Sequence, residues 1–117
     1  MAEVEERIVR ADDELSELTL THMGLADKSA RAEAAWKRHR DTVIIRTSKQ
    51  ADRTAADVRE AAARDEIDPI TGKPGHQLYE EYKIAEAAAD SSARAMRSLE
   101  SRLSAFQTLA SNIRGRN

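Results

Sequence analysis

The chain has 117 residues, of which 34% are charged and only 3% aromatic, and its formal net charge is −2. That length holds a single domain, and the charge-rich, aromatic-poor composition is the one found in long helices and coiled coils. With no cysteine, disulfides and thiolate chemistry are excluded and a reducing compartment is permitted. The first ten residues lack the apolar core of a signal peptide. No apolar run approaches the roughly 18 residues of a membrane span. A cytoplasmic location is therefore expected.

In chain order, Glu3 to Leu20 is helical by pattern. Val4, Ile8, Ala11, Leu15 and Leu18 keep a 4-3-4-3 spacing, and seven acids between Glu3 and Glu17 occupy the other faces. Two threonines and Gly24 then suggest a break, with Asp27 or Ser29 as a new helix cap. This makes residues 1–24 a separate acidic N-terminal helix. A first long helix is expected over 26–64, with an apolar line of Ala26, Ala30, Ala34, Ala51, Ala55, Val58 and Ala62, and with Trp36 and Val43-Ile44-Ile45 as its large residues. Asp68-Pro69, Thr71-Gly72 and Lys73-Pro74-Gly75 are successive turn signals, so 65–76 reads as the loop between two antiparallel helices.

The strongest pattern follows. Leu78, Tyr82, Ala85, Ala89, Ser92, Met96, Leu99, Leu103, Phe106, Ala110 and Ile113 alternate spacings of four and three without interruption. A stripe held at 3.5 residues per turn stays on one face only if the helix winds around a partner. The helix over 77–114 is therefore expected to pack lengthwise. Leu78, Tyr82, Met96, Leu99, Leu103, Phe106 and Ile113 would supply core and subunit contacts, with close approach at Ala85, Ala89 and Ser92. The expected architecture is all-α: a long antiparallel hairpin with coiled-coil packing, plus the N-terminal segment, in a homo-oligomer.

Charge is segregated along the chain. Residues 1–27 carry −6, 28–53 carry +5, 54–90 carry −5 and 91–117 carry +4. A hairpin folded about the middle of the 65–76 loop places residue i near roughly 141 − i. That lays the two basic blocks side by side as a basic stem with an acidic tip. Such a stem calls for a negative partner. One candidate is nucleic acid, held at its phosphates by Lys37, Arg38, Arg40, Arg46, Lys49 and Arg53 from one helix and Arg94, Arg97 and Arg102 from the other. Trp36, next to the cluster Lys37-Arg38-His39-Arg40, would stack on a base or sit in the core. The other candidate is the acidic segment 1–27 of a neighbouring subunit, which makes the charge an assembly code.

No catalytic constellation is present, so a non-enzymatic protein is expected, without cofactors. His22, His39 and His76 lack the spacing of a metal site. Gly72-Lys73-Pro74-Gly75 lacks the spacing of a phosphate loop. Tyr82 and Glu86 match a type VII export signal only by chance, since no Trp-x-Gly turn separates the helices.

The layout resembles the UvsY family of phage recombination mediators. The shared pattern is Trp36-Lys37-Arg38-His39-Arg40 in the first long helix, then the run Thr54-Ala55-Ala56-Asp57-Val58-Arg59, a glycine-containing loop, and Leu78-Tyr79-Glu80-Glu81-Tyr82-Lys83 opening the last helix. Asp57-Val58-Arg59-Glu60 stands where the family carries a Lys-Ala-Arg-Leu signature, which leaves Arg59 as the equivalent DNA contact. The resemblance implies a ring-forming phage protein of the host cytoplasm. It would bind single-stranded DNA regardless of sequence and help load a recombinase in place of a single-strand-binding protein. The rival expectation is a structural or adaptor protein, such as a phage assembly component.

Overall fold

The computed structural model describes residues 2–48 and 56–115, which form three helices: α1 (Ala2–Ser48), α2 (Ala56–Asp65) and α3 (Gly75–Gly115). The protein is all-α; among the described residues the one extended feature is an isolated bridge between Ile67 and Pro74. Two compact units are present, one built from residues 1–25 and 88–117, the other from 26–87.

α1 corrects the expected division at Gly24. Its 47 residues run unbroken through that position. A helical glycine costs only about 1 kcal/mol, and the two threonines that suggested a break are satisfied inside the helix. The Thr19 hydroxyl donates to the Leu15 carbonyl at 2.7 Å and the Thr21 hydroxyl to Glu17 at 3.1 Å. The inward stripe also continues in strict 4-3 alternation from Leu18 through His22, Leu25, Ser29, Ala32, Trp36, His39 and Val43, all buried or half-buried. This stripe replaces the expected alanine line: Ala30, Ala34 and Val58 are exposed, and Ala51 and Ala55 lie outside the described residues. The single helix expected over 26–64 is two helices, with α1 ending at Ser48 and α2 beginning at Ala56.

α3 matches the heptad reading. Leu78, Ala85, Ala89, Ser92, Leu99 and Ala110 are buried, and Tyr82, Met96, Leu103, Phe106 and Ile113 are half-buried.

The 26–87 unit has three helical layers. Trp36 and Val43 of α1, Ala63 of α2 and Leu78 of α3 form its core, with Ala35, Ala62, Tyr79 and Tyr82 packed around them. Trp36 meets Tyr79 edge to face, with centroids 5.3 Å apart. The residue opposite position i is therefore near 115 − i, not 141 − i. The hairpin does not turn about the loop alone, because α2 forms a separate leg between α1 and α3.

The unit of 1–25 and 88–117 has two helices. Ala11 and Glu14 share a groove with Leu99, Arg102 and Phe106, and Leu18 and Thr21 share the next with Ala95 and Leu99. The helices are antiparallel, with residue i near 117 − i. Val4, Ile8, Leu15 and Leu18 are half-buried on one side of the seam, and Met96, Leu103, Phe106 and Ile113 on the other.

Candidate functional site

The most elaborated part of the molecule is the junction where α1, α2 and the 66–74 loop meet the start of α3. Asp68 sits at its centre, 3% exposed. Its Oδ2 accepts the Thr71 hydroxyl at 2.7 Å, the Thr71 N–H at 3.1 Å and Arg38 Nη2 at 3.3 Å. Burial pushes its pKa up, but the Thr71 bonds and the Arg38 charge outweigh this and hold it below the ordinary value. The Gly72 N–H closes the turn on the Asp68 carbonyl at 2.8 Å, with Gly72 at φ +72°, a conformation that suits glycine.

His39 is as buried as Asp68. Its Nε2 donates to the Ala63 carbonyl at 2.8 Å, and its Nδ1 lies 3.8 Å from Asp68 Oδ1. Gly75 opens α3 directly against this pair: its N–H donates to the Glu66 carbonyl at 2.9 Å, and a Cβ there would overlap the Ala63 carbonyl and stand 2.9 Å from His39 Nε2. With one ring nitrogen on a main-chain carbonyl and the ring out of solvent, His39 serves as a tie between α1 and α2. A cavity of about 130 Å³ beside it is lined by Arg38, Arg46, Ile67 and Ile70 among others. Among the described residues, no three His, Asp or Glu side chains converge as a metal site, and no helix is long and apolar enough to cross a membrane.

Of the basic residues singled out in the sequence, Lys37, Arg38, Arg40 and Arg46 are each answered by an acid of the 26–87 unit. Arg40 donates to Glu60 through both Nε and Nη2, with Nε 3.0 and 3.1 Å from the two carboxylate oxygens. The pairing raises the arginine pKa and lowers that of Glu60. Arg46 pairs with Glu66, Arg38 with Asp68, and Lys37 with Glu33 one turn back. Arg59 Nη1 donates to the Ser48 hydroxyl at 2.7 Å. Lys49 and Arg53 lie outside the described residues. Trp36 is 6% exposed, with its ring against Tyr79 and no open face for a nucleobase.

The expected basic stem is therefore corrected. Within the 26–87 unit, the basic block of α1 faces the acidic block of α2, the loop and early α3. Lys73 of the loop and Gln77 of α3 hold Glu81, whose pKa falls below normal for that reason. Tyr82 donates to Glu86 at 2.8 Å, and its phenol is pushed up to about 12 by that bond.

In the other unit, seven acids on residues 1–25 are answered by only Arg7 and Arg10 on the same helix, while α3 brings Arg94, Arg97, Arg102 and Arg114. Opposite blocks again share a unit. Here, though, the only ion pair among the described residues is Arg7–Glu3, within one helix. Arg94, Arg97 and Arg102 are exposed, with Arg102 at the edge of the groove beside Glu14. Two polar atoms in this unit's seam, His22 Nδ1 and Ser92 Oγ, are buried without a hydrogen-bond partner. The sequence reading placed Ser92 on the α3 stripe but missed the inward positions of His22 and His39. The signal available was that each occupies a seam position in the 4-3 spacing.

No protein-family model matches the chain, and no similar curated protein or solved structure was found.

Proposed function

We propose that this protein is a non-enzymatic helical adaptor or structural component that works by self-association, through the unit formed by residues 1–25 and 88–117. The observation that carries this reading is the contrast between the two units. The 26–87 unit has α2 as a third helix and buries Trp36, Val43 and Leu78. The other has two helices, and most of the large side chains along its seam stay half-exposed. Two helices bury too little apolar surface to stand alone, so further helices must cover them. Val9 at 61%, Leu20 at 71% and Met23 at 62% exposure add apolar surface on the outer side of α1.

Charge supports the same reading. In the 26–87 unit Lys37, Arg38, Arg40 and Arg46 are paired with acids of the same unit; in the other unit, among the described residues, only Arg7 has an ion pair. Sedimentation velocity over a concentration series tests the proposal. A concentration-dependent oligomer is expected, and a monomer at the highest soluble concentration overturns it.

A single-stranded DNA-binding recombination mediator is the second reading, kept by Arg94 and Arg97, which are exposed and make no ion pair among the described residues. With so few free bases, the affinity would fall with salt on a slope of only about −0.7 per phosphate contact. Single-stranded DNA binding at low salt that weakens along this shallow slope favours the mediator; no binding at low salt removes it.

A further inference from the structure

We infer that the side of α1 lining the two grooves of the 1–25 and 88–117 unit is a self-complementary dimer surface, and that its occupant is the same surface of a second copy of this chain. The inference rests on the self-association reading above and specifies its geometry.

The two grooves, about 220 and 330 Å³, share Glu14, Leu99 and Arg102, so they form one continuous depression along the helix pair. On the α1 side it is bordered in order by Arg7, Arg10, Glu14, Glu17 and Thr21. These positions alternate spacings of three and four, a stripe beside the inward seam. Reading this border in both directions gives its key property. When a second α1 runs antiparallel along it, with residue i beside 24 − i, Arg7 meets Glu17 and Arg10 meets Glu14. The two-fold axis repeats both contacts, so four opposite-charge pairs form from one patch meeting itself, as an isologous interface requires. In the two neighbouring antiparallel registers, the two-fold axis would set Arg10 against Arg10 or Glu14 against Glu14.

The next turns of the same stripe, Lys28, Arg31, Ala35 and Arg38, carry bases alone and cannot pair with themselves. Self-complementarity is thus confined to the unit that lacks a third helix. The depression also leaves Leu18, Leu99 and Phe106 at its floor, giving the second copy apolar surface to cover between the charged borders. Arg7, Arg10, Glu14 and Glu17 are all exposed, so reversing them leaves the fold of each chain intact.

The test uses two full-length variants, Arg7→Glu/Arg10→Glu and Glu14→Arg/Glu17→Arg. Each places like charges across the two-fold axis, and each is expected to weaken self-association by about 100-fold or more while keeping wild-type helicity by circular dichroism. Mixed together, the variants present an all-acidic border to an all-basic one and should form a heterodimer. Native mass spectrometry reads all three samples directly. If both variants self-associate like the wild type, this surface is wrong while the self-association reading stands. If the wild type is itself monomeric at every concentration, both fall.

Discussion

Replacing Gly75 by alanine should damage the 26–87 unit far more than one methyl group suggests. The added Cβ would overlap the Ala63 carbonyl, a main-chain atom that cannot swing aside, and would crowd His39 Nε2 at 2.9 Å. The first turn of α3 must retreat, which pulls the Gly75 N–H from the Glu66 carbonyl and opens the His39–Ala63 bond. Overpacking of this kind costs about 1–3 kcal/mol, and a buried hydrogen bond lost with its partner left behind costs about 1–3 kcal/mol more. The better helix propensity of alanine offsets at most about 1 kcal/mol. The net expectation is a loss of about 2–4 kcal/mol. For a chain of this length, about 4 °C of Tm accompanies each kcal/mol, so the melt should fall by about 8–16 °C.

Gly24→Ala provides the internal contrast. A Cβ at Gly24 meets nothing within 4 Å, so the same substitution in mid-helix should raise stability by about 1 kcal/mol. Thermal melts followed at 222 nm, at one fixed protein concentration, compare the two. A Gly75→Ala protein that melts no lower than wild type refutes the close-packed junction. Adding His39→Ala to Gly75→Ala should cost less than the sum of the two single changes, because both act on one contact.

Two further expectations concern titration. Asp68 has a lowered folded pKa, so its contribution is complete above the ordinary aspartate value of 3.8 and is lost as pH falls through the lower folded value. Asp68→Asn should flatten the acid limb of a stability-against-pH curve, and an unchanged limb would contradict the role given to the carboxylate. Tyr82 should ionise late, near 12, in an ultraviolet titration; Tyr82→Phe should remove that phase.

α3 was readable from sequence almost to its ends because its seam is written in apolar residues, with no proline or glycine inside it. α1 was harder for a physical reason. Four of the seven seam positions beyond Leu18 are polar or small: His22, Ser29, Ala32 and His39 occupy the inward positions, while Ala30 and Ala34, the more apolar-looking choice, face outward. Burying a histidine at position 39 requires an acceptor, and the acceptor is a carbonyl of α2, 24 residues away, which no local pattern announces. The pairing register failed for a related reason. The turn signals at 68–75 mark a real turn, but α2 takes up ten residues as a leg of its own. That displaces the α1–α3 partnership by a full charge block and exchanges like-charge for opposite-charge neighbours.

The two units also differ in when they can form. Contacts of the 26–87 unit close over short stretches of chain: 20 residues separate Arg40 from Glu60 and 30 separate Arg38 from Asp68. In the other unit, Ala11 must find Phe106 across most of the sequence. At ribosomal speeds of about 5–20 residues per second, the first 25 residues wait on the order of ten seconds for their partner to be made. During that interval they are an unpaired amphipathic helix next to a finished unit. Seven acids between Glu3 and Glu17 keep that helix charged and hydrated until α3 arrives to cover its apolar stripe.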